Sequence, residues 1–298
     1  MILYVTPGYQ LVALDAQTGS RIQSFGDDGI VDLKQDIDQN LDPTSEIGLH
    51  AAPVVAGNMI IICAAHRPGG APPARKNVKG YVRSFDVRTG DRKWIFHTIP
   101  DADEYGNDSW LNDSWRYTGN TGVWAQMTID PELNMVYFPV EAPTGDNYGG
   151  HRGGDNLFSG SVVAVHLNTR QRACHHQTVH HDIWDFDLPA PPGLLDVEIE
   201  GELVPLLALA GKTGYLYILN RETGEPVFGI EERAVPQSNA PGEQSSPTQP
   251  IPIKPPPIAK VDFAAEDIVT AEDTTEAHAA FCRRIYEENG GFSNDGPF

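Results

Sequence analysis

Four segments of this chain repeat one pattern, and such a repeat restricts the fold more than any other feature of the sequence. They are L-V-A-L-D-A-Q-T-G from Leu11, V-R-S-F-D-V-R-T-G from Val82, V-V-A-V-H-L-N-T-R from Val162 and L-Y-I-L-N-R-E-T-G from Leu216. Apolar and β-branched residues fill a strand, Asp or Asn caps the turn through its side chain, and Gly takes the positive φ. Trp94, in R-K-W-I-F, begins the next strand after one such turn. Copies lie roughly 55 to 80 residues apart, too far for one hairpin each and suited to four-stranded propeller blades with variable insertions. D-x-x-T-G is also a common hairpin turn on its own, but three good copies and an altered one favour an array. The expected fold is all-β, about four radial sheets of four antiparallel strands, in one domain over residues 1–298. Helical periodicity is weak until 264–289, where a short helical segment is expected.

The third copy is altered. His166 stands where Asp or Asn belongs, Arg170 where Gly belongs, and Cys174 where Trp94 sits in the second copy. A non-glycine residue at positive φ is strained by roughly a kcal/mol. This blade is expected to be locally less stable, or its turn reshaped.

Long loops rich in Gly, Pro and Asp separate the repeats, at 36–50, 67–79, 101–121, 143–159 and 233–262. The last holds P-I-P-I-K-P-P-P and reads as a rigid surface excursion in polyproline II geometry. A ligand for proline-binding modules is the less favoured reading. The formal net charge of -20 argues against a nucleic-acid partner, because too few cations are present to neutralise phosphates. No apolar run approaches the roughly 18 residues of a membrane span. Met1–Val5 is too short and uncharged for a signal peptide, which implies a cytosolic protein or a missing N-terminus. Cys63, Cys174 and Cys282 are odd in number and far apart, so no disulfide framework is expected.

Chemistry concentrates at residues 177–189, Q-T-V-H-H-D-I-W-D-F-D-L-P. Asp182, Asp185 and Asp187 alternate with Ile183, Trp184, Phe186 and Leu188. Burying an unpaired carboxylate costs several kcal/mol, so these need a metal, a cation, backbone N–H groups or a polar substrate. Lys212, in A-G-K-T-G-Y-L-Y, supplies a cation just before a strand; the G-K-T is not a phosphate loop, because the G-x-x-x-x-G-K spacing fails. Trp124, in G-N-T-G-V-W-A-Q, lies behind glycines that would leave room for a flat ligand. N-Y-G-G-H-R-G-G-D-N from Asn147 is a polar glycine-rich loop. Singly, Trp124 reads as core and Lys212 as surface; at blade-like intervals they gain weight together. Zinc at His175, His176, His180 and His181 is disfavoured, because adjacent histidines on a strand point to opposite faces.

The ordered set G-N-T-G-V-W-A, Y-G-G-H-R-x-G-D-N, H-H-D-I-W-D-F-D-L-P-A, A-G-K-T-G-Y-L-Y-I-L-N-R-E-T-G and V-P-Q-S-N-A-P-G-E-Q-S-S-P resembles the pyrroloquinoline quinone (PQQ)-dependent dehydrogenases, above all their glucose/quinate branch. The resemblance runs through nearly the whole chain. It implies part of an eight-bladed propeller with PQQ in the central funnel, the chain covering about half of a complete member. It also implies roles. Asp185 would be the general base on the substrate hydroxyl while a hydride moves to the quinone, and would touch the metal. Lys212 would hydrogen-bond the quinone oxygens and stabilise charge there. Trp124 would stack on the cofactor, and Thr144 would contact it as in the glucose branch. A Ca²⁺ or Mg²⁺ ion would act as Lewis acid.

Departures accompany the likeness. Arg75 stands near the position of an acidic metal ligand of the related alcohol enzymes, and Ala142 to Thr144 replace their metal-binding asparagine. The resemblance implies oxidation of a sugar or polyol, with ubiquinone or a cytochrome as electron acceptor and a periplasmic location. Two alternatives stay open: a cofactor-free propeller scaffold of the outer-membrane assembly type, which would need none of Asp185, Lys212 and Trp124, and an inactive remnant. An incomplete ring would expose blade edges and is expected to self-associate.

Overall fold

The protein is described by a computed structural model covering residues 1–41, 45–64, 74–294 and 296–298. Residues 42–44 and 67–73 of the expected loops lie outside the described residues.

Strands alternate with turns along nearly the whole chain. The first sheet contains β1 (Ile2–Val5), β2 (Gln10–Leu14) and β3 (Ile30–Asp32). The second contains β4 (Val54–Ala56), β5 (Met59–Ile62), β6 (Val82–Asp86) and β7 (Arg92–Phe96). The third contains β8 (Thr128–Asp130), β9 (Met135–Val140), β10 (Ser161–His166) and β11 (Arg172–Gln177). The fourth contains β12 (Gly193–Ile199), β13 (Glu202–Ala210) and β14 (Leu216–Asn220). Each is an antiparallel meander. The expectation of four strands per sheet therefore holds for the second and third sheets. In the fourth, the outermost strand is reduced to a bridge between Leu219 and Pro226.

Period-2 side-chain alternation builds the core between sheets, because both faces of an inner strand are covered. On β5, Ile60 and Ile62 pack with Leu11, Phe25 and Phe85 toward the first sheet. Ile61, between them, packs with Trp94, Phe138 and Val163 toward the third. On β10, Val162 and Ala164 face Leu207 and Leu209 of the fourth sheet, while Val163 and Val165 face the second. The outer faces are barer. Ile2 and Tyr4 on β1, and Leu195 and Val197 on β12 of the fourth sheet, are exposed.

All four repeats form the same turn. The amide of Gly19, Gly90, Arg170 and Gly224 donates to the carbonyl of Asp15, Asp86, His166 and Asn220 at 2.8–3.0 Å. The positive φ is 72°, 77°, 58° and 79° in turn. Arg170 therefore keeps the backbone path, and the reshaping expected as one option does not occur. What differs is the source of support. Asp86 Oδ1 accepts from the amides of Arg88 and Thr89 at 2.8 and 3.2 Å. Asp15 and Asn220 do the same. His166 gives no such cap among the described residues. Instead Arg170 Nη1 donates to the carbonyl of Ile95, in the second sheet, at 2.6 Å. Gly224 leaves room for Cys174, whose Cβ lies 2.7 Å from where a Cβ on Gly224 would stand.

The proline-rich excursion is partly a strand. β15 (Ile230–Ala234) pairs with β16 (Thr248–Pro252), so these residues are not a free polyproline rod. Among the described residues the one α-helix, α1 (Glu276–Glu288), is capped by the Thr275 side chain, which accepts from the His278 amide. Among the described residues no helix is long and apolar enough to cross a membrane.

Candidate functional site

Register places the site. Ser161 at the start of β10 pairs with both Val140 at the end of β9 and Gln177 at the end of β11. The chain leaving β9, the chain entering β8 and the chain leaving β11 thus emerge on one edge of the third sheet. They carry Thr144, Trp124, and Asp185 with Asp187. The turn from β13 to β14 brings Lys212 from the fourth sheet, and its amide donates to the Asp187 carbonyl at 3.0 Å.

The three aspartates are satisfied in three different ways. Asp182 is buried and accepts from the amides of Trp184 and Phe186, both at 2.9 Å. Burial raises its carboxyl to about 6 against the opposing pull of those amides. Its carbonyl accepts from Arg152, which also donates to Gly145 O and Asn156 Oδ1. Asp182 is therefore the local clamp that folds the loop and leaves Asp185 at φ 59°. Asp187, only 6% exposed at its side chain, accepts from the Ala142 amide at 2.7 Å, the Trp124 indole at 3.2 Å and Lys212 Nζ at 2.8 Å. Asp185 accepts from Lys212 Nζ at 2.7 Å, and its side chain remains 46% exposed. Burial works against the Lys212 ammonium, but the hydrogen bonds to both carboxylates outweigh it and hold the amine above the usual lysine range.

Three of the four residues expected to form a site therefore meet. Lys212 Nζ bridges Asp185 and Asp187, and lies 5.8 Å from the centre of the Trp124 ring. Thr144 stands apart from those bonds. Its amide donates to Gly119 O, and its Oγ1 is shut off from solvent without a hydrogen-bond partner. Nearby Asp146 is raised by burial and by Asp185. The glycines before Trp124 do not open space for a ligand. A Cβ on Gly122 would fall 2.1 Å from Ala64 O, and one on Gly119 2.4 Å from the carbonyl carbon of Asn77. They permit close backbone approach between the second and third sheets. Arg75 is exposed and lies over the Tyr117 ring at 4.3 Å.

Two partners escaped the sequence reading. Glu141, at the end of β9, is raised well above the carboxylate range by burial and then by Asp187. Its Oε1 is shut off from solvent with no hydrogen bond. Nothing in P-V-E-A-P marks it, since a glutamate at a strand end normally faces water. The other is Glu243, from the excursion. It accepts from the Gly149 amide at 2.5 Å and lies 2.8 Å from His181 Nε2, with both side chains 1% exposed. Gln249 adds a reciprocal pair with the His180 backbone, both at 2.8 Å. The excursion thus straps the site segment in place. His175, His176, His180 and His181 form no metal-ligating group among the described residues.

The donor set fits an anionic quinone with a divalent ion. The half-buried ammonium and the part-exposed indole suit a flat anion, but one ammonium already faces two carboxylates. Open Asp185 and the unpartnered Thr144 Oγ1 and Glu141 Oε1 are hard oxygens of the type Ca²⁺ or Mg²⁺ takes, and a divalent cation would offset the excess of carboxylates over the one ammonium.

A family model described as the glucose/ethanol/alcohol dehydrogenase β-propeller domain matches residues 1–298. The quinoprotein glucose dehydrogenase of Gluconobacter oxydans is 36% identical over 254 residues, covering 84% of this chain and 30% of that protein. The quinate/shikimate dehydrogenase (quinone) of Acinetobacter baylyi is 32% identical over 270 residues, covering 87% of this chain and 31% of that protein. The crystal structure of the quinohemoprotein alcohol dehydrogenase from Comamonas testosteroni superposes with a TM-score of 0.63 at 26% identity, covering 84% of this chain and 36% of that one. The chain thus spans about a third of the length of the relatives it matches, rather than the half expected.

Proposed function

Because the chain belongs to the PQQ-dependent glucose/ethanol/alcohol dehydrogenase β-propeller family, we propose that it forms the Asp185–Lys212–Trp124 part of a site oxidising a sugar or polyol hydroxyl. The observation that carries this reading is the ammonium of Lys212 held between Asp185 and Asp187 beside the Trp124 indole. PQQ, when bound, supplies the two-electron acceptor. Asp185 takes the hydroxyl proton, since it alone of the three aspartates has a free, solvent-facing oxygen. Asp187 is already saturated by three donors and fixes Lys212 and Trp124 in register. Lys212 balances negative charge that builds opposite it. Trp124 offers a ring face for stacking. A Ca²⁺ or Mg²⁺ ion would be held by Asp185 and would supply Lewis acidity, with Thr144 contacting the cofactor.

The test uses a form carrying a complete set of blades, with PQQ and Ca²⁺ added and a dye as acceptor. Asp185→Asn is expected to lower turnover of glucose or quinate by about 10²- to 10⁴-fold, the usual worth of a general base. Turnover equal to wild type would show that Asp185 is not the base.

The electron acceptor is a quinone or cytochrome and the location periplasmic, as proposals from the family. Fractionating the source cells, and assaying ubiquinone against cytochrome reduction, tests both. Residues 1–298 act as one partial propeller domain. Its open faces, with Ile2, Tyr4, Leu195 and Val197 exposed, are expected to drive self-association of the isolated chain. Light scattering that returns a monodisperse monomer would refute this.

A further inference from the structure

We propose that His97, Asp101 and Glu104 form a second metal site, for a divalent transition-metal ion of the Zn²⁺ type, at the rim between the second and third sheets. None of Asp185, Lys212, Trp124 or Thr144 belongs to it. The three residues follow β7 with the spacing H-x-x-x-D-x-x-E, and each offers one ligand atom within 4.8 Å of the others. Among the described residues this is the one such group. His97 Nδ1 lies 2.8 Å from Glu104 Oε2 and 3.6 Å from Asp101 Oδ2. The loop is held by reciprocal bonds, Asp101 N to Glu104 Oε2 at 3.0 Å and Glu104 N to Asp101 O at 2.9 Å. The Tyr81 ring packs 4.4 Å from the imidazole and fixes its tilt.

The far side of the ring is arranged to support coordination through Nδ1. The His97 side chain is 9% exposed, and its other nitrogen, Nε2, is buried without a hydrogen bond. That nitrogen faces Asp38 Oδ2 at 3.4 Å, and Asp38 is anchored by Arg92 at 3.0 Å. An imidazole that binds a metal through Nδ1 keeps its proton on Nε2, and a carboxylate behind that proton is the usual support. Three carboxylates thus surround one ring. The other cations nearby stand off, Lys79 Nζ at 4.0 Å from Asp101 and Arg170 Nη1 at 3.9 Å from Glu104. A cavity of about 180 Å³ opens on His97 and Glu104, between Tyr105, Phe158 and Arg172. It gives access and room for waters that would complete the coordination shell. One nitrogen and two carboxylates suit Zn²⁺ or a neighbouring first-row ion, whereas Ca²⁺ prefers oxygen alone.

The experiment is calorimetric titration of Zn²⁺ into the full chain, stripped with chelator and then saturated with Ca²⁺. Wild type is expected to bind one ion that His97→Ala loses. Glu104→Gln and Asp38→Asn keep side-chain volume, so they carry the test if His97→Ala does not fold. Glu104→Gln should weaken that ion at least tenfold, and Asp38→Asn, which touches only the supporting carboxylate, by about 10- to 100-fold. A plain ion-pair network gives no such graded loss. Zn²⁺ affinity and stoichiometry unchanged in Glu104→Gln and Asp38→Asn would mean adventitious binding by other histidines and would overturn the proposal.

Discussion

The repeat turns and the loop after β11 both rest on aspartates, yet use them differently. In the turns, Asp15 and Asp86 give one oxygen to amides two and three residues on, and the bond never leaves the turn. In the loop, Asp182 also stays local, giving its two oxygens to amides two and four residues on. Asp187 instead collects donors from residues 142, 124 and 212, and Asp185 keeps an open face. A carboxylate saturated by its own neighbours builds architecture. One satisfied from other strands registers those strands, and one left partly open is available for chemistry.

The largest stability effect should come from breaking the long-range aspartate. Asp187→Ala strands the buried Ala142 amide and the Trp124 indole, and leaves Lys212 with Asp185 alone. A loss of about 2–3 kcal/mol is expected, from orphaned buried donors. Asp15→Ala, whose bonds all stay within its turn, should cost only about 1 kcal/mol, the usual worth of a local cap. Urea denaturation of the two variants measures the contrast. Equal losses would erase the distinction between local and long-range carboxylates.

A smaller effect probes the altered turn. Arg170→Ala keeps the positive φ but removes the bond to Ile95, and should cost about 1 kcal/mol. Arg170→Gly removes the same bond and relieves the backbone, where the αL penalty of about 1–2 kcal/mol exceeds glycine's entropic cost of about 0.5–1 kcal/mol. It should therefore lie near wild type. Identical urea midpoints for the two variants would mean that the turn stores no strain.

Much of this was legible in the residues. Strand, cap and glycine announced the turns of three repeats, because their bonds are local and follow from sequence spacing. The meeting of Trp124, Asp185 and Lys212 was legible through the ordered motifs. Asp187 was visible as a carboxylate needing a partner, but not as the residue that would hold the others together. That depends on which strand ends share a sheet edge. Glu141 and Glu243 were not legible, because each is buried by segments distant in sequence. The glycines before Trp124 misled for the same reason: the backbone of Ala64 and Asn77 fills the space they leave. Arg170 was read correctly as standing where the turn takes a positive φ, but its bond to Ile95 crosses to another sheet and leaves no local trace.

Lys212, set by two aspartates, is the proposed anchor for an anionic quinone. Equilibrium dialysis of PQQ with Ca²⁺, against a form with a complete set of blades, measures it directly. Asp185→Asn should retain PQQ nearly as wild type does, whereas Lys212→Ala should lose at least about tenfold in affinity, the worth of one charge-assisted hydrogen bond. PQQ held equally well by Lys212→Ala and wild type would contradict the account.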